Sequence, residues 1–138
     1  MSKITELYQL VTLPKITDSR GNLSFIEGNN HVPFEICRTY WLYDIPGASA
    51  RGKGHAYHTA HEFIIPLSGS FMVDISNGKE MRSVELKSPN TGLYIKNLTW
   101  RMLHSFTTNA VALILSSSAY QEDDYIYDWK TYKALVNL

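Results

Sequence analysis

Residues 61–86 read His61-Glu62-Phe63-Ile64-Ile65-Pro66-Leu67-Ser68-Gly69-Ser70-Phe71-Met72-Val73-Asp74-Ile75-Ser76-Asn77-Gly78-Lys79-Glu80-Met81-Arg82-Ser83-Val84-Glu85-Leu86. Three runs rich in apolar and β-branched residues, His61 to Leu67, Phe71 to Ile75 and Met81 to Leu86, are separated only by turn signals. Ser68-Gly69-Ser70 predicts a tight turn. Asn77-Gly78 predicts a hairpin, because both residues tolerate positive φ. The same rhythm extends in both directions. Upstream, Glu35 to Ile45 alternates, with Arg38, Tyr40 and Leu42 on one face and Cys37, Trp41 and Tyr43 on the other, until Pro46-Gly47 ends it. Pro14 and Asp18-Ser19-Arg20-Gly21-Asn22 punctuate the first two strand-like segments. Downstream, Val111-Ala112-Leu113-Ile114-Leu115 is an unbroken apolar run and predicts a buried strand. Only the tail changes period. From Asp123 onward Ile126, Trp129 and Leu135 recur at helical spacing, with Asp123 and Asp124 near the positive end of the expected helix. Many short strands and one terminal helix imply an all-β sandwich or barrel. No βαβ alternation and no glycine-rich phosphate loop is present, which argues against a Rossmann or P-loop enzyme.

The bulk numbers narrow the function. A chain of 138 residues predicts one domain, 1–138, with a single core. Thirteen Lys and Arg balance thirteen Asp and Glu, so a nucleic-acid partner is not expected, since phosphate neutralisation needs a basic excess. The one cysteine, Cys37, cannot form an internal disulfide. No apolar stretch reaches the length of a membrane span and no signal-peptide pattern opens the chain, so the expected compartment is the cytoplasm.

Chemistry concentrates in Gly54-His55-Ala56-Tyr57-His58-Thr59-Ala60-His61-Glu62, which holds three of the five histidines. If this segment is one strand, His55, Tyr57 and His61 share a face, and His58 and Glu62 the other. An inward row of His and Tyr offers acid–base groups to a ligand inside a barrel. A metal site built from His55, His58, His61, Glu62 and the distant His104 is a weaker reading, because strand alternation separates those groups.

These residues, with others in order along the chain, resemble the sugar 3,4-ketoisomerases, the WxcM-like or FdtA-like group. The resemblance is carried by Asp18 to Gly28, Pro33-Phe34-Glu35-Ile36, Arg38-Thr39-Tyr40-Trp41-Leu42-Tyr43-Asp44 and the Arg51-Gly52 element before His55-Ala56. It continues through Leu67 to Phe71, Gly92-Leu93-Tyr94-Ile95, Trp100-Arg101 and Tyr120 to Ile126. It implies a double-stranded β-helix (cupin, or jelly-roll barrel), a homodimer, and catalysis without metal or organic cofactor. The implied reaction moves the carbonyl of TDP-4-keto-6-deoxyglucose from C4 to C3 through an enediol(ate). The product would supply 3-amino sugars for bacterial glycans such as lipopolysaccharide O-antigen. A 3,5-epimerase and a non-catalytic nucleotide-sugar-binding cupin are the alternatives.

One departure stands out. The family's His-Ala-His is His55-Ala56-Tyr57 here, with one residue more before His55. His55 then maps to the first histidine and is expected to be the base at C3. Tyr57 and Tyr43 are candidates for the acid. Arg51 and Arg101 are candidates for the diphosphate, as a guanidinium offers a planar fork of donors. Arg20 and Tyr40 are expected near sugar or diphosphate. Trp100 is a candidate for stacking on thymine, although a strand tryptophan more often packs in a core or interface.

Overall fold

A computed structural model describes residues 2–46 and 54–137. Among these described residues there are twelve strands, all paired antiparallel in the named ladders, and one α-helix. They are β1 (Tyr8–Thr12), β2 (Lys15–Asp18), β3 (Gly21–Ser24), β4 (Arg38–Leu42), β5 (Ala56–Tyr57) and β6 (Glu62–Ser68). There follow β7 (Phe71–Ser76), β8 (Met81–Leu86), β9 (Thr91–Ile95), β10 (Trp100–His104), β11 (Val111–Ser116), β12 (Tyr125–Ile126) and the helix α1 (Trp129–Val136). One sheet has the order β1-β9-β6-β11-β4, and a second has β10-β7-β8. An isolated antiparallel bridge between His55 and Arg101 joins the β12-β5 ribbon to the edge of the second sheet. Two layers of comparable width result, and the barrel expected from the sequence is borne out.

The alternation read from the sequence explains the packing. Ile64, Val73, Ile75, Leu93, Leu103, Ala112 and Ile114 point between the layers and form the main core. The uninterrupted run at 111–115 also feeds both faces of its sheet. Ala112 and Ile114 turn inward, whereas Leu115 joins Phe63, Ile65 and Phe34 in a second apolar cluster outside. Gly92 is required here, since a Cβ would stand 2.2 Å from the Phe63 ring. Over the outer cluster stands the β2-β3 hairpin, which leaves a groove of about 520 Å³ lined by Leu13, Phe25, Ile26, Ile36, Ile65 and Leu113 among others. A third cluster, Ala56, Trp100, Ile126 and Tyr132, lies under α1.

Two sequence expectations are corrected. The segment 55–62 is not one strand: β5 has two residues, the chain bends at 58–59, and the alternation restarts at β6. Tyr57 and Glu62 therefore meet, while His61 turns to the outer cluster, its Nδ1 2.7 Å from the Tyr94 hydroxyl. The tail is not helical from Asp123. A short 3₁₀ turn spans Glu122–Asp124, Ile126 lies in β12, and the helix starts at Trp129. Asp128 caps that helix by accepting from the Thr131 backbone N–H at 2.9 Å. No helix among the described residues is long and apolar enough to cross a membrane.

Candidate active site

The barrel positions a polar cluster where β4 and β6 begin and β11 ends. Cross-strand pairing sets Glu62 opposite Ser116, and Ser116 opposite Arg38, so the three share one inward face. From the other layer, Arg101 projects inward from β10. Its backbone exchanges hydrogen bonds of 3.1 and 2.9 Å with His55. Gly54 makes this approach possible. Its φ is +88°, and a Cβ would meet the Trp100 indole nitrogen at 2.9 Å and the Arg101 carbonyl at 3.0 Å.

Glu62, 2% exposed, is the hub. Arg101 Nε donates to its Oε1 at 2.9 Å, with Arg101 Nη2 2.8 Å from the same oxygen. Tyr40 donates to Oε2 at 2.6 Å and Tyr57 to the same atom at 3.1 Å. Arg101 Nη2 also donates to the Tyr40 oxygen at 3.0 Å. His55 Nε2 lies 3.0 Å from the Tyr57 oxygen. An ion pair this buried must have its remaining hydrogen-bonding capacity satisfied to offset desolvation, and the two phenols do so.

Electrostatics follow from this enclosure. Burial first, then the charges of Arg101 and Arg38, push the His55 pKa down to about 2, so the imidazole is neutral at physiological pH. Burial, then the Glu62 carboxylate, pushes both phenols, Tyr40 and Tyr57, well above the usual tyrosine range. A neutral imidazole beside protonated phenols can accept a proton and steady a developing oxyanion.

A tyrosine wall closes one side. Tyr125 pairs across the ribbon with Tyr57, their ring centroids 4.7 Å apart, and stacks on Tyr127 at 10° between planes. Arg38 lies 5.3 and 5.4 Å from the Tyr40 and Tyr120 ring centroids. Its Nε is buried without a hydrogen-bond partner among the described residues.

His55, Tyr57, Tyr40 and Arg101 are thus brought together. The others are not. Tyr43 lies beyond the end of β4, 62% exposed. Arg20 is at the β2-β3 tip, its side chain 89% exposed and ion-paired with Asp18 at 2.7 Å. Trp100 points away from Arg101 and packs beneath α1 against Trp129 and Tyr132. Arg51 lies outside the described residues. Arg101 itself is 6% exposed and engaged by Glu62 and Tyr40, which removes its fork from a diphosphate. The sequence reading missed Glu62 as a partner of Tyr57, along with Arg38 and Tyr125. A carboxylate heading the apolar run Phe63-Ile64-Ile65 was the available signal, since a buried carboxylate needs a cation. Among the described residues no three His, Cys, Asp or Glu side chains gather as metal ligands. His58 is exposed, and His104 pairs with Asp74.

A jelly-roll barrel holding a neutral histidine against a phenol–carboxylate–guanidinium network defines an acid–base enzyme of the cupin class. Known proteins agree. The chain belongs to the FdtA family (WxcM-like, C-terminal), whose pattern matches residues 6–137. It is 38% identical over 133 residues to the TDP-4-oxo-6-deoxy-α-D-glucose 3,4-oxoisomerase of Aneurinibacillus thermoaerophilus, covering 94% of this chain and 95% of that one. The QdtA sugar 3,4-ketoisomerase of Thermoanaerobacterium thermosaccharolyticum, solved with TDP, superposes with a TM-score of 0.91 at 34% identity, covering 94% of each chain. A 3,4-ketoisomerase from Helicobacter canadensis gives 0.90 at 33%, covering 94% of this chain and 97% of that one.

Proposed function

We propose that this chain is a TDP-4-keto-6-deoxyglucose 3,4-ketoisomerase, with His55 as the base at C3. The observation that carries the reading is the neutral His55 held at 3.0 Å by Tyr57 in the Glu62–Arg101–Tyr40 network. The C4 ketone acidifies the proton on C3. His55 removes it, and O4 gains a proton as the enediol(ate) forms. A proton then enters at C4 while O3 loses its own, leaving the ketone at C3. Tyr40 is the phenol proposed to exchange a proton with the oxyanion, in the place expected of Tyr43, while Tyr57 orients His55. Arg51 is the cation proposed for the diphosphate, and Arg101 holds the acid–base groups in register.

Support comes from the barrel, from the cluster, and from the TDP held by the QdtA relative. A variant of that relative is also solved with TDP-4-keto-6-deoxyglucose. The enzyme acts in the cytoplasm as a single-domain homodimer. Its product feeds an aminotransferase step toward 3-amino sugars of bacterial glycans, O-antigen included. Dimerisation is favoured by Ile16, Leu23 and Phe25, each at least 40% exposed beside the 520 Å³ groove. Proton NMR of the chain with TDP-4-keto-6-deoxyglucose in deuterated water tests the reaction. Deuterium at C4 with a C3 ketone is expected. Exchange at C3 and C5 with inversion means an epimerase, and no exchange means a binding protein.

A further inference from the structure

We propose that Tyr57 and Glu62 fix neutral His55 as its Nε2–H tautomer, so that Nδ1 is the proton-accepting atom and Glu62 is a positioning residue acting through Tyr57. This rests on the reading of His55 as the base, but the tautomer is a property of the ligand-free protein.

The inference is a count of protons. A carboxylate in an ion pair accepts hydrogen bonds and donates none. Glu62 Oε1 faces Arg101, so Oε2 faces Tyr40 and Tyr57. Each phenol has one proton. Tyr40 receives a hydrogen bond from Arg101 Nη2, so its own proton goes to Glu62. Tyr57 has a choice between Glu62 Oε2 at 3.1 Å and His55 Nε2 at 3.0 Å. If its proton went to His55, two acceptor oxygens, one of them charged, would face each other at 3.1 Å inside the barrel with nothing between them. Low local dielectric makes such an unpaired contact costly. Tyr57 therefore donates to Glu62, and the 3.0 Å contact with His55 is made by an imidazole N–H. A neutral imidazole has only one. Nδ1 is left with its lone pair.

The groups facing His55 sustain this state. Arg38 from β4 and Arg101 from β10 are cations that oppose a second proton on the ring. Tyr57, Tyr125 and Tyr127 enclose it as neutral rings. When Nδ1 takes the substrate proton, the new imidazolium already donates through Nε2 to Tyr57. The charge is then felt by Glu62 through an interposed phenol. This is the logic of a base oriented by a third group, with a tyrosine inserted between base and carboxylate. Tyr57 keeps its proton in this scheme. Its replacement of a histidine preserves orientation of the base and supplies no second acid.

Long-range proton–nitrogen correlation spectra of ¹⁵N-histidine-labelled, ligand-free protein at neutral pH test the proposal, with His55→Asn identifying the His55 signals. The expected pattern is a pyrrole-type Nε2 and a pyridine-type Nδ1, with the other tautomer below about a tenth of the population. Tyr57→Phe should raise the minor Nδ1–H form several-fold, since a hydrogen bond of ordinary net strength shifts a two-state ratio up to about tenfold. A wild-type His55 protonated at Nδ1, or at both nitrogens, overturns the proposal. So does a Tyr57→Phe spectrum identical to the wild type. The expected tautomer in a chain that leaves the keto sugar unchanged would sustain this inference and sink the proposed reaction instead.

Discussion

Replacing Glu62 by glutamine should show how far the barrel depends on its own catalytic cluster. The amide nearly preserves shape, so little packing is lost. It removes the carboxylate charge that faces the Arg101 guanidinium, which is 6% exposed. Removing one member of a buried pair leaves an uncompensated charge and typically costs about 3–5 kcal/mol. For a chain of this size each kcal/mol lowers Tm by roughly 3–5 °C, so a fall of about 10–20 °C is expected. Urea denaturation and calorimetry on Glu62→Gln, Arg101→Met and the double variant provide the measurement. The double variant buries no unpaired charge, so a coupling of at least about 1.5 kcal/mol between the two sites is expected. A coupling below about 0.5 kcal/mol, or a Tm within about 3 °C of wild type for Glu62→Gln, would refute the view that this ion pair is a closed electrostatic unit.

Other expectations are narrower. His55→Asn should bind TDP and stay folded, yet lose about 10²–10⁴-fold in kcat; undiminished turnover would remove it as the base. Its depressed pKa also bears on stability. Between pH 6.5 and about 2 the unfolded chain binds a proton at this position that the native protein does not, so His55's contribution is full above pH 6.5 and is lost as pH falls. That amounts to about 1.4 kcal/mol per pH unit, and His55→Asn should flatten the urea-measured slope between pH 6 and 4. Alanine at Arg51 should raise KM for the nucleotide sugar roughly ten- to a hundredfold with kcat near wild type; unchanged TDP affinity would move the diphosphate elsewhere. Exhaustive chelation should leave turnover intact, and activity restored only by added zinc or iron would overturn the acid–base scheme.

Much of this was legible in the residues, and the exceptions share a cause. In β4 the alternation correctly groups Arg38 with Tyr40 and sets Trp41 on the opposite face, because five consecutive residues keep the pleat; the structure turns the first face inward. The runs around Ser68-Gly69-Ser70 and Asn77-Gly78 became β6, β7 and β8 nearly residue for residue. Alternation failed where regular structure was too brief to carry a phase. β5 holds only two residues, and the turn after it exchanged Glu62 for His61 on the inward face. In the tail, helical spacing includes Ile126, yet Ile126 lies in β12 and pairs with Ala56 of β5. The link between Glu62 and Arg101 spans 39 residues of chain, a distance at which spacing alone says nothing. The family resemblance located His55 and Tyr57, but not the carboxylate that joins Tyr57 to Arg101.

The C-terminal segment has a consequence for the order in which the enzyme becomes able to work. Asp124 accepts hydrogen bonds from Thr59 N–H, Thr59 hydroxyl and Ala60 N–H at 2.9, 2.9 and 3.1 Å, and Tyr125 closes over His55 and Tyr57. The ladders of the two main sheets are complete by residue 116. On the ribosome, where folding follows emergence, a nascent chain that stops short of this segment already holds every strand of both sheets. It would still leave the histidine open to water, its turn untethered. Shelter for the base arrives with chain that emerges after both sheets, so the barrel can assemble before its histidine is enclosed.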